Sequence, residues 1–321
     1  MPKVSAVIPT TLDEQRLPFI RAALDSVLGQ SVGDCEIILV HNGSDPSRKR
    51  LIEEYLPSIR YVYEPVGNIG EARNRGVREA SGKYVAFLDD DDLWHAEKVH
   101  VQASALDDHP DIDVVFTDTE LFSDTGVQQE SYIRHIGGLE RLGRLERAPG
   151  LFVQNGSWFE YLIRNCPFLP SCWMGKREVL LDMPFLRILS EDRELLWRLS
   201  RKYKLAFVDQ VLTRKRDHTS NISLDSIDAC VAGMIEGAQM ASAWELTPHE
   251  RALVRRWEAD AQFELGYRCR TRGAHLSALR HQTASFVLAP RLLTIKEAAK
   301  NLLLWKGRGD DLTSRASASR G

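Results

Sequence analysis

The sequence predicts an α/β protein: a sheet with crossover helices over its first 120 residues, then a less regular stretch and a helical C-terminal region. Three observations carry this expectation. Short β-rich runs alternate with helix-length polar-apolar segments up to about residue 120. The first four of those runs end in polar or Gly-containing turns. From Ile227 onward the apolar spacing is helical almost to the end.

Taken in order, the strand candidates are Val4–Ile8, Glu36–Val40, Ile59–Tyr63, Tyr84–Leu88 and Val114–Thr117. Helices are expected between them at Leu17–Leu28, Ser47–Tyr55, Gly70–Ala80 and Trp94–Leu106. Such alternation builds parallel strands joined by helices, and ligands then lie beyond the carboxyl ends of the strands. After residue 120 the alternation weakens, and the echo from Leu139 to Arg147 reads as a short polar helix or a flexible loop. In the structured stretch Leu151–Ser223, a helix at Glu191–Tyr203 and a strand at Leu205–Leu212 stand out. Small polar residues fill 309–321, a composition that predicts a disordered tail.

The 321 residues are 43% hydrophobic, enough for one large core or a core with a smaller appendage. A formal net charge of −3 lacks the basic field of a whole-protein nucleic-acid binder, so no nucleic-acid partner is expected. The balance hides an asymmetry: Arg268 to Arg308 holds nine Lys or Arg against one acid, Glu297. Cys35, Cys166, Cys172, Cys230 and Cys269 show no C-x-x-C spacing, which suggests neither a disulfide framework nor a zinc site and fits a reducing cytoplasm. The apolar run Val4–Ile8 is too short for a signal-peptide core, and no stretch approaches the roughly 20 apolar residues of a spanning helix. Membrane contact, if any, is expected to be peripheral.

The chemistry-bearing residues gather at strand ends. Pro9 stops the first strand and leaves the hydroxyls of Thr10 and Thr11 able to meet a base or ribose, although most such turns are only turns. After the second strand, Asn42 in His41-Asn42-Gly43-Ser44 either pairs with a nucleobase edge or forms an Asn-Gly turn. Gly67 to Gly76 leads into a helix with small residues that permit close backbone approach to a bound group. It is not a P-loop, and no G-x-G-x-x-G opens the first helix, which demotes ATPase and dehydrogenase readings.

The fourth strand is the informative one, because it runs straight into Asp89-Asp90-Asp91-Asp92. Four adjacent carboxylates repel one another and require a cation or hydrogen-bond donors. A hard divalent ion that bridges carboxylates to substrate phosphates meets that requirement. Helix capping accounts for one Asp and leaves the others unexplained. Downstream, Ser190-Glu191-Asp192 opens an amphipathic helix, where capping and chemistry are equally good readings. The segment Thr213 to Asn221 gathers Arg214, Lys215, Arg216 and His218, types suited to diphosphate oxygens and to a metal.

The string NIGEARNRGVREASGKYVAFLDDDD, Asn68 to Asp92, resembles the segment leading to the D-x-D motif of family 2 glycosyltransferases of the GT-A fold, and the likeness spans roughly residues 3–223. The resemblance implies a mixed sheet flanked by helices, with nucleotide-sugar binding over 1–120, an acceptor side over 121–223 and a helical extension over 224–308. It implies that Asp89 and Asp91 are the D-x-D carboxylates, with Asp91 a direct metal ligand and Asp90 near the ribose or diphosphate. Thr10 and Asn42, with Pro9 and Thr11 beside them, would contact the nucleotide; Asn68 and Arg73 would close over the same pocket. Glu191-Asp192 matches the family's E-D pair, which makes Asp192 the general base and places Glu191 on the acceptor side. Arg216 and His218 match its R-x-H element at the diphosphate and metal. The implied cofactor is Mn²⁺ or Mg²⁺, and the implied partners are a nucleoside-diphosphate sugar and a carbohydrate or lipid-linked acceptor in surface polysaccharide, glycan or glycolipid synthesis. The base-contacting turn of the family usually carries two Asp, where this chain has His41 and Asn42. An Asn carbonyl still accepts from a uracil N3–H, so a UDP-linked donor is expected.

Independently of the motif, Trp173, with Trp158 and Tyr161, is a candidate to stack on an acceptor sugar, although a core position suits each. The expected reaction is an inverting displacement with Asp192 as base. A retaining enzyme of the same fold, a nucleotidyltransferase and a non-catalytic binding module are the alternatives. The E-D pair favours inversion, Pro9 to Glu14 lacks the glycine and base of a triphosphate grip, and a binding module leaves Asp192 and His218 unexplained. Near the C-terminus, Leu292, Ile295, Ala299, Leu302 and Leu303 share one helical face, with Trp305 nearby and Lys296, Lys300 and Lys306 flanking it. It reads as an interfacial helix on the cytoplasmic side of an anionic membrane or as a helix packed on the catalytic domain.

Overall fold

The computed structural model describes residues 2–65, 67–136, 144–155, 158–165, 167–218 and 227–318, with side chains through Trp305 except that of residue 144. The chain divides into two compact units, residues 1–187 with 191–221, and residues 188–190 with 222–321.

The first unit is built on one mixed sheet. Its strands are β1 (Val4–Thr10), β2 (Cys35–His41), β3 (Arg60–Tyr63), β4 (Tyr84–Phe87), β5 (Leu93–Trp94), β6 (Val114–Ser123), β7 (Gly126–Gln129), β8 (Arg144–Ala148), β9 (Leu151–Gln154), β10 (Trp173–Lys176) and β11 (Leu205–Arg216). Their order is β3-β2-β1-β4-β10-β6-β11-β9-β8, with β5 paired to β11 and β7 to β6. The block β3-β2-β1-β4 is parallel, and β10 runs antiparallel to both of its neighbours. Every residue of β1 is buried, Ser5 and Thr10 included, and its other five positions are apolar.

Helices cover the sheet: α1 (Leu17–Leu28), α2 (Ile69–Glu79), α3 (Lys98–Asp108), α4 (Tyr132–His135), α5 (Phe159–Arg164), α6 (Arg177–Asp182) and α7 (Glu191–Lys202). Helix α1 has a Pro in its first turn and buries Ile20, Ala23, Leu24 and Val27 at helical spacing. Helix α2 approaches β1 so closely that a Cβ at Gly76 would overlap the Val7 side chain.

Three local expectations change. Trp94 starts no helix: it pairs with Thr213 in β5, and its buried indole donates to the Ser171 carbonyl at 2.8 Å, so α3 begins only at Lys98. Pro46–Tyr55 is a 3₁₀ helix kinked at the buried Ile52, whose φ of −129° breaks the helical run. Residues 144–147 of the polar echo are not helix or loop but part of β8, whose backbone groups are satisfied by β9; residues 139–143 lie outside the described residues.

Lys98 is fully buried beneath this sheet, where its Nζ donates to Gln102 Oε1 at 2.6 Å and sits 4.2 Å from the Trp94 ring centre. Burial pulls its pKa down from 10.5 to about 7, against the opposing pull of Cys172 and Cys35. Between those values the unfolded chain holds the extra proton, so this group makes stability rise with pH. Lys98→Met is therefore expected to stabilise the protein by up to about 4 kcal/mol near pH 7 and by less near pH 10. Urea unfolding at the two pH values checks it.

The second unit is helical: α8 (Ile227–Ala241), α9 (Pro248–Thr271), α10 (His275–Leu288) and α11 (Leu292–Ala318). A reciprocal Thr247–Glu250 capping box starts α9, and Val231 and Ile235 of α8 join Ala261 and Leu265 of α9 in an apolar cluster. The tail expected to be disordered is helical through Ala318, with no proline to stop the hydrogen-bond ladder; 319–321 lie outside the described residues. Among the described residues no helix is long and apolar enough to cross a membrane. Among the described residues Cys35, Cys172 and Cys269 form no disulfide.

Candidate active site

The site grows from the carboxyl edge of β1, β2 and β4. Val7 of β1 is registered with Phe87 of β4, so Thr10 and the acidic turn share one edge of the sheet. Along that turn the four carboxylates alternate in environment. Asp90 is 7% exposed, accepts from Thr10 Oγ1 at 2.6 Å and is bonded by Arg16 Nη2. Asp92 is 2% exposed and accepts from Ser171 Oγ at 2.6 Å and from the Arg216 amide at 3.1 Å.

The other two carboxylates are more open. Asp89 accepts from Arg73 Nη2 at 2.6 Å through Oδ1 and has a side chain 28% exposed. Asp91 Oδ2 accepts from Arg16 Nη2 at 2.9 Å and lies 3.0 Å from His218 Nε2. Burial pushes the pKa of Asp90 up to about 6, opposed by Arg16 and reinforced by Asp91. Asp92 is also raised well above the ordinary carboxylate value, by burial and then by the charges of Asp91 and Asp89. Backbone and side-chain donors thus hold the inner pair, while the outer pair, two residues apart, meets guanidinium and imidazole groups.

A second cation ties this turn to α7. The Arg73 side chain is 2% exposed and bonds both Asp89 and Glu191. Burial opposes its charge, yet Asp89 and Glu191 outweigh burial and hold its pKa above the ordinary arginine value. Glu191 is 5% exposed; burial lifts its pKa to about 7, with Arg73 pulling down and Asp192 pushing up. Asp192 is only half-buried, and its Oδ1 accepts from the Arg193 amide at 2.8 Å. Ser190, at φ 71°, turns the chain sharply into these two acids. On the far side, the Arg216 guanidinium stacks between Phe19 and Phe122 at 4.6 and 4.5 Å, and its Nε donates to the Asp91 carbonyl at 3.2 Å. The His218 ring rests on Phe19 at 4.9 Å.

The structure therefore brings Asp89, Arg73 and Glu191 into one group and Asp90, Asp91, Arg216 and His218 into another, joined along the acidic turn, with Asp192 next in chain to Glu191. Other expected positions have partners within the chain. The Thr10 hydroxyl donates to Asp90 and accepts from the Leu12 amide. Asn68 uses its Oδ1 to cap α2 through the Glu71 amide at 3.0 Å. Arg73 is buried among carboxylates, and Glu191 is buried against it.

Trp173 is 1% exposed, stacked on Phe185 and edge-on to Phe87 and Phe116, so it belongs to the core and not to an acceptor surface. Trp158 and Tyr161 are buried too. Pro9 is buried in β1, Thr11 is exposed, and Asn42 is 7% exposed with an Oδ1 that has no partner among the described residues. The cationic segment begins inside β11, and residues 219–221 lie outside the described residues. Sequence reasoning passes over Arg16 and Ser171, which stand 74 and 79 residues from the acids they hold.

Residues 5–180, more than half of the chain, match the family described as glycosyl transferase family 2. The chain belongs to that family. An uncharacterized glycosyltransferase of Rickettsia typhi is 27% identical over 232 residues, 71% of this chain and 69% of the relative. The uncharacterized glycosyltransferase EpsJ of Bacillus subtilis is 37% identical over 95 residues, 29% of this chain and 27% of that protein. Among solved structures, S. aureus TarS 1-349 in complex with UDP-GlcNAc superposes with a TM-score of 0.63 at 17% identity, covering 94% of this chain and 89% of that one. A mannosyltransferase from Pyrobaculum calidifontis in complex with GDP-Man and Mn²⁺ gives 0.58 at 16%, covering 94% and 80%. The glycosyltransferase thus has the GT-A fold: a mixed sheet flanked by helices, with a helical C-terminal region.

Proposed function

We propose that this glycosyltransferase moves a sugar, with inversion, from a UDP-linked donor to the hydroxyl of a glycan or lipid-linked acceptor in surface polysaccharide or glycolipid synthesis. The observation that carries the reading is the alternation in the acidic turn, which leaves Asp89 and Asp91 on the open side while Asp90 and Asp92 are held inside. Two carboxylates and an imidazole form a donor set that fits a hard divalent cation, and each carboxylate already meets a guanidinium, Arg16 at Asp91 Oδ2 and Arg73 at Asp89 Oδ1. Among the described residues no three His, Cys, Asp or Glu side chains are drawn together around one point. Asp91, Asp89 and His218 are the residues that would hold Mn²⁺ or Mg²⁺, which when bound would neutralise charge on the departing diphosphate.

The chain's own groups supply the rest. Asp192, the less buried acid of its pair, accepts the proton of the acceptor hydroxyl as the new oxygen–carbon bond forms and the bond from the anomeric carbon to the phosphate oxygen breaks. Arg216, fixed between two phenyl rings, stands beside Asp91 to meet the diphosphate. The unpartnered Asn42 Oδ1 suits the N3–H of uracil. The TarS complex with UDP-GlcNAc supports the donor class, and the Mn²⁺ of the mannosyltransferase supports the metal.

Hydrolysis of a panel of nucleotide sugars by the purified protein with Mn²⁺ tests this function. Asp91→Ala is expected to weaken Mn²⁺ and donor binding together, by about tenfold or more in calorimetry. Absence of hydrolysis with every donor, or unchanged binding in the variant, would contradict it.

A further inference from the structure

The last two helices of the second unit are inverted with respect to water. In α11 the inward positions are Thr294, Glu297 and Asn301, none more than 6% exposed, whereas Leu292, Leu293, Ile295, Leu303, Leu304 and Trp305 are 42–71% exposed. Helix α10 repeats the pattern: His275, Gln282 and Ser285 are buried, and Leu276 and Val287 are each 67% exposed.

Polar contacts lock this orientation in place. His275 Nδ1 lies 2.7 Å from Asn301 Oδ1, Asn301 Nδ2 donates to the His275 carbonyl at 2.9 Å, and Ser285 Oγ donates to the Ala259 carbonyl at 2.8 Å. Glu297 pairs with Arg270 at 3.1 Å and with Lys300 at 2.6 Å. Turning the leucines inward would break these bonds and strand buried polar groups. Water is a poor partner for so many exposed apolar side chains, and such patches mark contact with a protein or a membrane.

Charge decides between the two. From His275 to Trp305 the chain holds one acid, the buried and paired Glu297, while Arg280, Lys296 and Lys300 are exposed. We propose that this face of α10 and α11 binds the surface of an anionic bilayer, with the helices lying in the interfacial plane. A second copy of the chain would set the same cations against one another, whereas anionic headgroups complement them while the leucines and Trp305 enter the acyl boundary. The proposal is independent of the donor chemistry.

Co-sedimentation of the full chain with phosphatidylcholine vesicles, and with vesicles containing about one-third phosphatidylglycerol, tests it. Binding is expected to the anionic vesicles, far above that to neutral ones, and to fall as salt rises. Arg280→Glu with Lys296→Glu should lower partitioning roughly fivefold or more for each position. Leu303→Asp with Leu304→Asp should lower it at least about tenfold while circular dichroism stays that of the wild type. Failure to bind anionic vesicles, or binding that neither variant changes, overturns the proposal. So does a dimer in lipid-free solution that Leu303→Asp with Leu304→Asp disperses, because the face would then belong to a second copy.

Discussion

Asp192→Asn is expected to lower sugar transfer by about 10²–10⁴-fold while leaving donor affinity near that of the wild type. The substitution keeps the side-chain size and the oxygen that accepts from the Arg193 amide, so the start of α7 is preserved and only the proton acceptor is lost. Glu191 cannot take over, because it is buried against Arg73 on the inner side of the helix. Turnover measured beside donor affinity by calorimetry separates the two effects. Transfer at the wild-type rate would move the base to another residue.

Arg73→Met is expected to cost about 3–5 kcal/mol of stability near neutral pH, because it leaves Glu191 buried without its cation and frees Asp89. The pH dependence has a definite sign. Burial already raises the Glu191 pKa to about 7 with Arg73 opposing; without Arg73 it rises further above the ordinary 4.5. Between those values the folded variant holds the extra proton, so its stability falls as pH rises and its deficit is smallest near pH 5. Urea unfolding across this window checks both the size and the slope. A loss below about 1 kcal/mol at neutral pH would mean that the triad contributes little.

What was legible in the chain follows from the range of the interactions. The parallel block β1 to β4 shows in the sequence because each strand is a short run flanked by turn residues, and the acid tetrad stands at the end of one of them. The antiparallel β10 is four residues long and is fixed by its pairing with β4 and β6, so nothing local announces it. Within the site, residue types marked the acids and the Arg216/His218 segment, but not their partition into inner and outer carboxylates. That partition depends on Thr10, Arg16 and Ser171, which reach the tetrad from at least 74 residues away. The segment Pro9 to Glu14 lacks a base, yet Arg16 two residues later bonds Asp90 and Asp91. In α11 the periodicity of the leucines identified an apolar face, but which face turns inward was set by Asn301 and Glu297 meeting His275 and Arg270.

The stereochemistry of turnover tests the central assignment most directly. Real-time proton NMR of a UDP-α-sugar consumed by the protein with Mn²⁺ reads the anomeric configuration of the first product formed. A β-configured product, abolished in Asp192→Asn, is the result expected of single displacement with Asp192 as base. An α-configured product would contradict that account and assign the chain a retaining mechanism.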